Sequence, residues 1–211
     1  MIYKEKKVIF LHIYKTGGKT VKDALLQNQE PTPLPLKIYN NTFGKLGLRK
    51  FYLPHQMLNS HIRAVDYKKY LGEENFNQYY KFTIVRNPYD WQVSLYHFMR
   101  EKKDHFQHDL IMSMTFKEYI KWRCAEDLKL QSYFIYDDEG NKLIDYLGKF
   151  ENLANEINHV ASKNGLHVAE VKKLGASKRT DFRDYYDNET KELIKKHFEK
   201  DFELFGYDFN F

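Results

Sequence analysis

A chain of 211 residues without a Pro/Gly/Ser-rich linker can bury one good core, so residues 1–211 are read as a single domain. The net charge of +5, from 34 Lys and Arg against 29 Asp and Glu, suits an anionic small ligand, whereas the spread of basic residues along the chain argues against nucleic-acid binding. The lone cysteine, Cys124, excludes an intramolecular disulfide, no apolar run approaches membrane-spanning length, and Met1 to Lys7 lacks a signal-peptide core, so the expectation is a soluble cytoplasmic protein with no membrane insertion.

Val8 to Ile13 reads as a buried strand and Val21 to Gln27 as a helix. The prolines of Glu30-Pro31-Thr32-Pro33-Leu34-Pro35 cannot continue that helix, because they lack an N–H and fix φ, and a loop-rich region runs on to about Asn59. Phe82 to Val85 is a second apolar strand ending at Arg86-Asn87-Pro88, where Pro88 suits the first position of a helix to about Lys102. Phe116 to Trp122 and Leu128 to Tyr136 read as helices, Asp137-Asp138-Glu139-Gly140-Asn141 as a turn and Lys142 to Phe150 as a strand. Helices over about Leu153 to Asn164 and Glu189 to Phe205 follow, and no internal repeat is visible. Strands alternating with helices predict an α/β fold, a mainly parallel sheet flanked by helices, with ligands bound where strands end and helices begin.

The first strand breaks into Tyr14-Lys15-Thr16-Gly17-Gly18-Lys19-Thr20. Glycines let backbone N–H groups approach a ligand, and the helix N-terminus that follows favours negative charge, so this turn reads as a phosphate cradle. It is not a Walker A loop, since Ile13 stands where that pattern needs its first glycine. Paired glycines beside such a turn are expected to serve a ligand rather than packing. The second strand also ends on a cation: Arg86 offers a planar fork of donors, and Ser94, two helical turns further on, offers a hydroxyl toward the same strand edge. His105 and His108 lack the further ligand spacing of a zinc site.

The run His12-Ile13-Tyr14-Lys15-Thr16-Gly17-Gly18 with Val85-Arg86-Asn87-Pro88-Tyr89-Asp90, Ser94 and Tyr96 resembles the two cofactor signatures of sulfotransferases that use 3′-phosphoadenosine 5′-phosphosulfate (PAPS), in particular the carbohydrate-type branch. Ser60-His61-Ile62-Arg63-Ala64 is similar to that family's histidine motif. Asp145-Tyr146-Leu147-Gly148-Lys149-Phe150-Glu151-Asn152, Tyr185-Tyr186-Asp187 and Asp201-Phe202-Glu203-Leu204-Phe205-Gly206-Tyr207 extend the resemblance over about Val8 to Phe209.

The resemblance implies a P-loop-like nucleotide-binding architecture and sulfuryl transfer from PAPS to a hydroxyl acceptor, a glycan or small alcohol or phenol, with adenosine 3′,5′-bisphosphate (PAP) as product and no metal. Lys15, with Thr16, Gly17, Gly18, Lys19 and Thr20, would hold the 5′-phosphosulfate, and Arg86 and Ser94 the 3′-phosphate. Gly175-Ala176-Ser177-Lys178-Arg179-Thr180 resembles a second nucleotide contact, with Ser177, Lys178 and Arg179 as candidates. Lys15 would stabilise the departing phosphate, and His61 would be the general base, with His55 in reserve and His12 supporting the strand end. Tyr14 stands where the family commonly has proline, Lys19 where it has a small hydroxyl residue and Trp91 where it is often basic. Gly18-Lys19-Thr20 also resembles part of a nucleotide kinase loop, so a P-loop kinase is one alternative and a non-catalytic binder of anionic glycans another. The Arg86-to-Ser94 motif has no counterpart in the kinase signature.

Overall fold

The computed structural model describes residues 1–29, 61–171 and 179–211, together with Pro35, Ile38 and Thr42. Strands β1 (Ile2–Tyr3), β2 (Val8–Leu11), β3 (Tyr80–Val85) and β4 (Tyr146–Lys149) lie side by side in that order. β1 runs antiparallel to β2, while β2, β3 and β4 are parallel, with Leu11 opposite Thr83 and Val85 opposite Lys149. The Thr83 hydroxyl donates to the Leu11 carbonyl at 2.7 Å, fastening the C-terminal ends of β2 and β3.

Alternation along the strands sorts side chains onto two faces. Val8, Phe10, Phe82 and Ile84 pack against Val21 and Ala24 of α1 (Gly18–Ala24), Leu25 beyond it, and Ile157, Val160 and Ala161 of α7 (Leu153–Asn164). Ile9, Leu11 and Val85 face the other core, shared by α2 (Ala64–Leu71), α3 (Glu73–Gln78), α4 (Pro88–Glu101), α5 (His108–Met112), α6 (Phe116–Ala125) and α8 (Asn188–Phe205). Pro88 takes the first helical position of α4 as expected, and the Asn87 side chain caps it by accepting the Tyr89 N–H at 2.9 Å. Among the described residues no helix is long and apolar enough to cross a membrane.

The predicted helix over Leu128 to Tyr136 shrinks to a single 3-10 turn, Ser132–Phe134. Buried Asp201 of α8 accepts the N–H groups of Gln131 and Ser132 at 2.7 and 2.9 Å, and the Gln131 amide pairs with the backbone N–H and carbonyl of Arg86 at 2.9 and 2.8 Å. These long-range bonds override local helix propensity. The predicted strand over Lys142 to Phe150 shortens to β4, while Lys142 makes an isolated bridge with Tyr136. β1, α2, α3 and α5 were not predicted: each is short, and α3 buries only Phe76 and α5 only Ile111, too little for a periodic signal. The loop-rich stretch to Asn59 lies outside the described residues.

Candidate active site

Because β2 and β3 are neighbours, the turns leaving their C-terminal ends emerge together. In the first, Lys15 holds a left-handed backbone, φ 62°, which costs a residue with a Cβ about 1–2 kcal/mol and is sustained only by its surroundings. Gly17 follows at φ 84° as the residue before α1, where an added Cβ would meet Leu153 Cδ2 at 2.6 Å, and one on Gly18 would fall 1.8 Å from His12 Nε2. The left-handed φ accounts for Gly17 and packing against the His12 ring for Gly18, which corrects at Gly18 the expectation that packing would not explain the pair. Fully buried Thr16 donates its hydroxyl to the Ile13 carbonyl at 2.8 Å, so that hydroxyl closes the turn itself. Thr20 is buried in the first turn of α1 and Lys19 is exposed.

The Lys15 ammonium sits 4.4 Å from the centre of the Phe98 ring and makes no ion pair among the described residues. Burial lowers its pKa to about 8, with Arg86 and Lys19 adding repulsion. Burial is the larger cause, so the ammonium is held where it is poorly solvated.

Arg86 is tied down. It is 7% exposed, its Nε donates to Asp90 at 2.6 Å, its Nη1 donates to the Lys15 carbonyl at 3.0 Å, and its guanidinium lies 4.0 Å from the Phe150 ring centre. Arg179 comes to the other oxygen of Asp90, so one carboxylate holds two largely buried guanidinium groups. Arg179 Nη1 is buried without a hydrogen-bond partner among the described residues, a state that costs about 1–3 kcal/mol. Asp90, Ser94 and Phe98 recur every fourth residue on α4 and share a face. Asp90 touches the arginines and Phe98 touches Lys15, which sets Ser94, 5% exposed, between the two cationic ends.

Tyr14 and Trp91 compensate for one another. Their rings stack at 5.0 Å, and Trp91 Nε1 donates to the Tyr14 carbonyl at 2.7 Å, anchoring the backbone just before Lys15. The Tyr14 hydroxyl accepts from Arg123 Nη2 at 2.8 Å, and buried Arg123 also pairs with Asp127.

His61 lies against the same turn. Its Nδ1 is 3.0 Å from the His12 carbonyl, which can only accept, so Nδ1 carries the hydrogen and Nε2 keeps its lone pair. The ring sits 4.4 Å from that of His12 and edge-on to Tyr14 at 5.9 Å, and burial lowers its pKa. His12 is held near 2, chiefly by burial, and serves as neutral packing. His105 and His108 direct their Nδ1 atoms to the Gln107 N–H and the Met99 carbonyl, and no group of three or more His, Cys, Asp or Glu among the described residues could hold a metal.

Set against this geometry, the family model described as Sulfotransferase family matches residues 1–208. The chain belongs to the sulfotransferase family. Membership implies sulfuryl transfer from PAPS and makes this protein a sulfotransferase-family enzyme with a sulfuryl-acceptor substrate. No curated protein matches the chain.

In this sulfotransferase Lys15, Arg86, Ser94 and Arg179 converge, with His61 beside the Lys15 turn, whereas Ser177, Lys178 and His55 lie outside the described residues. Sequence reasoning missed the role of Asp90, visible as an acidic residue four positions after Arg86, and of Phe98, four after Ser94. It also missed Gln131 and Asp201, for which no local signal exists.

Proposed function

We propose that this enzyme moves the sulfuryl group of PAPS to a hydroxyl of a carbohydrate acceptor by in-line displacement, with Lys15 as electrostatic catalyst and His61 as general base. The observation that carries the reading is the meeting of Lys15, Arg86 and Arg179 at the adjacent ends of β2 and β3, with a single carboxylate, Asp90, between the arginines. Lys15, Arg86 and Arg179, of which the two arginines share Asp90, fit a ligand with phosphate groups at both ends, and Arg179 Nη1, without a hydrogen-bond partner among the described residues, supplies a further donor.

Lys15 with the backbone of Thr16 to Thr20 would hold the 5′-phosphosulfate, and Arg86, Ser94 and Arg179 the 3′-phosphate. When bound, the donor supplies an activated sulfuryl group whose transfer leaves charge on a phosphate oxygen. The Lys15 ammonium, poorly solvated and without an ion pair among the described residues, is worth more to that developing charge than a surface lysine would be. The acceptor proton passes to Nε2 of His61, while the His12 carbonyl holds the Nδ1–H and stabilises the resulting imidazolium. The single cysteine, Cys124, suits a reducing, cytoplasmic setting.

The test is incubation with radiolabelled PAPS and a panel of glycans, phenols and alcohols. Label transferred to a glycan supports the proposal; label transferred to none while PAP binds returns the protein to a non-catalytic binder.

A further inference from the structure

We propose that Phe98, His105 and Phe106 form an aromatic platform that receives a sugar ring of the acceptor beside Lys15. This rests on the reading of Lys15 as the sulfuryl-transfer end of the site. The contacts are continuous. Lys15 Nζ lies 4.4 Å from the Phe98 ring centre, Phe98 meets His105 edge-on at 5.8 Å, and His105 stacks on Phe106 at 4.7 Å with an interplanar angle of 25°. Phe106 is 87% exposed, more than any other large hydrophobic side chain among the described residues. A row of rings thus leads from the lysine to solvent and ends on an uncovered face.

The row is built rather than loose. The His105 N–H donates to the Lys102 carbonyl and the His108 N–H to the His105 carbonyl, both at 2.9 Å, shaping the turn. The Gln107 N–H donates to His105 Nδ1 at 3.2 Å, which puts the ring hydrogen of neutral His105 on Nε2 as a directed donor at the edge of the stack. Gln107 Nε2 reaches Asp127 at 3.3 Å, and Asp127 pairs with Arg123, whose other arm holds Tyr14. One buried cation therefore supports both the residue before Lys15 and the turn that carries the platform.

The shape selects the occupant. A phenol draws affinity from an enclosed apolar cavity that covers both its faces, and Phe106 offers one open face. A pyranose ring has an apolar C–H face to lay on an aromatic ring and a rim of hydroxyls that stay in water or accept a hydrogen bond from the imidazole. Exposed Lys102, Lys103 and Asp104 directly precede His105 in the chain and give the turn a polar border.

The test assays the wild type, Phe106→Ala and Phe106→Trp with labelled PAPS and three acceptors, a chondroitin tetrasaccharide, a heparosan tetrasaccharide and 1-naphthol, with PAP affinity by calorimetry on each protein. Phe106→Ala should raise KM for the preferred oligosaccharide about tenfold, the worth of one stacked ring, and Phe106→Trp should restore it, with PAP affinity constant throughout. An oligosaccharide KM indifferent to Phe106→Ala overturns the platform. So does wild-type turnover of 1-naphthol alone, or of no acceptor, and with PAP still bound either result spares the donor site. Failure of the wild type to bind PAP overturns the donor-site reading and the platform with it.

Discussion

Arg86 and Lys15 end neighbouring strands and are held in opposite ways. Arg86 is gripped from its side chain by Asp90, the Lys15 carbonyl and the Phe150 ring, and from its backbone by Gln131, itself fixed by buried Asp201. Lys15 has a strained left-handed backbone and an ammonium whose contact is an aromatic face. The first is a preformed grip that costs little to complete. The second, on the proposed function, is a charge that the donor's phosphosulfate would stabilise, the arrangement expected where binding and transition-state stabilisation fall to different residues. Truncating Arg86 would take the guanidinium from the Lys15 carbonyl and leave Asp90 with Arg179 alone, so it disturbs the Lys15 turn as well as the site; charge-preserving changes separate the two.

The comparison breaks most visibly on the chemical side. His61→Ala should lower kcat by about 10²–10⁴-fold with little change in PAP affinity. Because burial lowers the His61 pKa from its ordinary 6.5, the wild-type rate should hold through neutrality and fall only on acidification below that value, as the imidazole becomes protonated and ceases to act as a base. An active His61→Ala enzyme moves the base elsewhere.

On the binding side, Arg86→Lys keeps the charge but loses the fork, and should raise the donor KM by about 10–100-fold with kcat nearly intact. Asp90→Asn sharpens the picture further. If Asp90 positions both arginines, PAP affinity falls by about tenfold in calorimetry, whereas tighter PAP binding would mean that the carboxylate competes with the phosphate.

The smallest effect is a proton. Lys15 titrates near 8 in the free enzyme because burial and neighbouring cations disfavour its charge, and a bound anion reverses that balance. PAP binding at about pH 8.5 should therefore take up a fraction of a proton, seen as a binding heat that depends on the buffer's ionisation enthalpy and disappears in Lys15→Met. Uptake that persists in Lys15→Met assigns the proton to another group.

Much of this frame was legible because its signals are local. The apolar run of β2 before the glycine turn, Asn87-Pro88 opening α4, and the cation at each strand end are contiguous features, and the structure puts them together as read. The rest depends on residues far apart in the chain. Gln131 sits in a stretch with helical composition, yet its amide is consumed by Arg86 and its N–H by Asp201, 70 positions away. Arg123, a residue that composition assigns to the surface, is 2% exposed beneath Tyr14. Tyr14 and Trp91, each unusual alone, make sense only as a stacked pair.

The claim that two anion motifs on adjacent strand ends grip one nucleotide is tested most directly by calorimetric titration of PAP against AMP. The account predicts that PAP binds at least about tenfold more tightly, since the 3′-phosphate adds charge-assisted contacts worth about 1.5–3 kcal/mol. Equal affinity for the two, or a preference for ATP with magnesium, would contradict it.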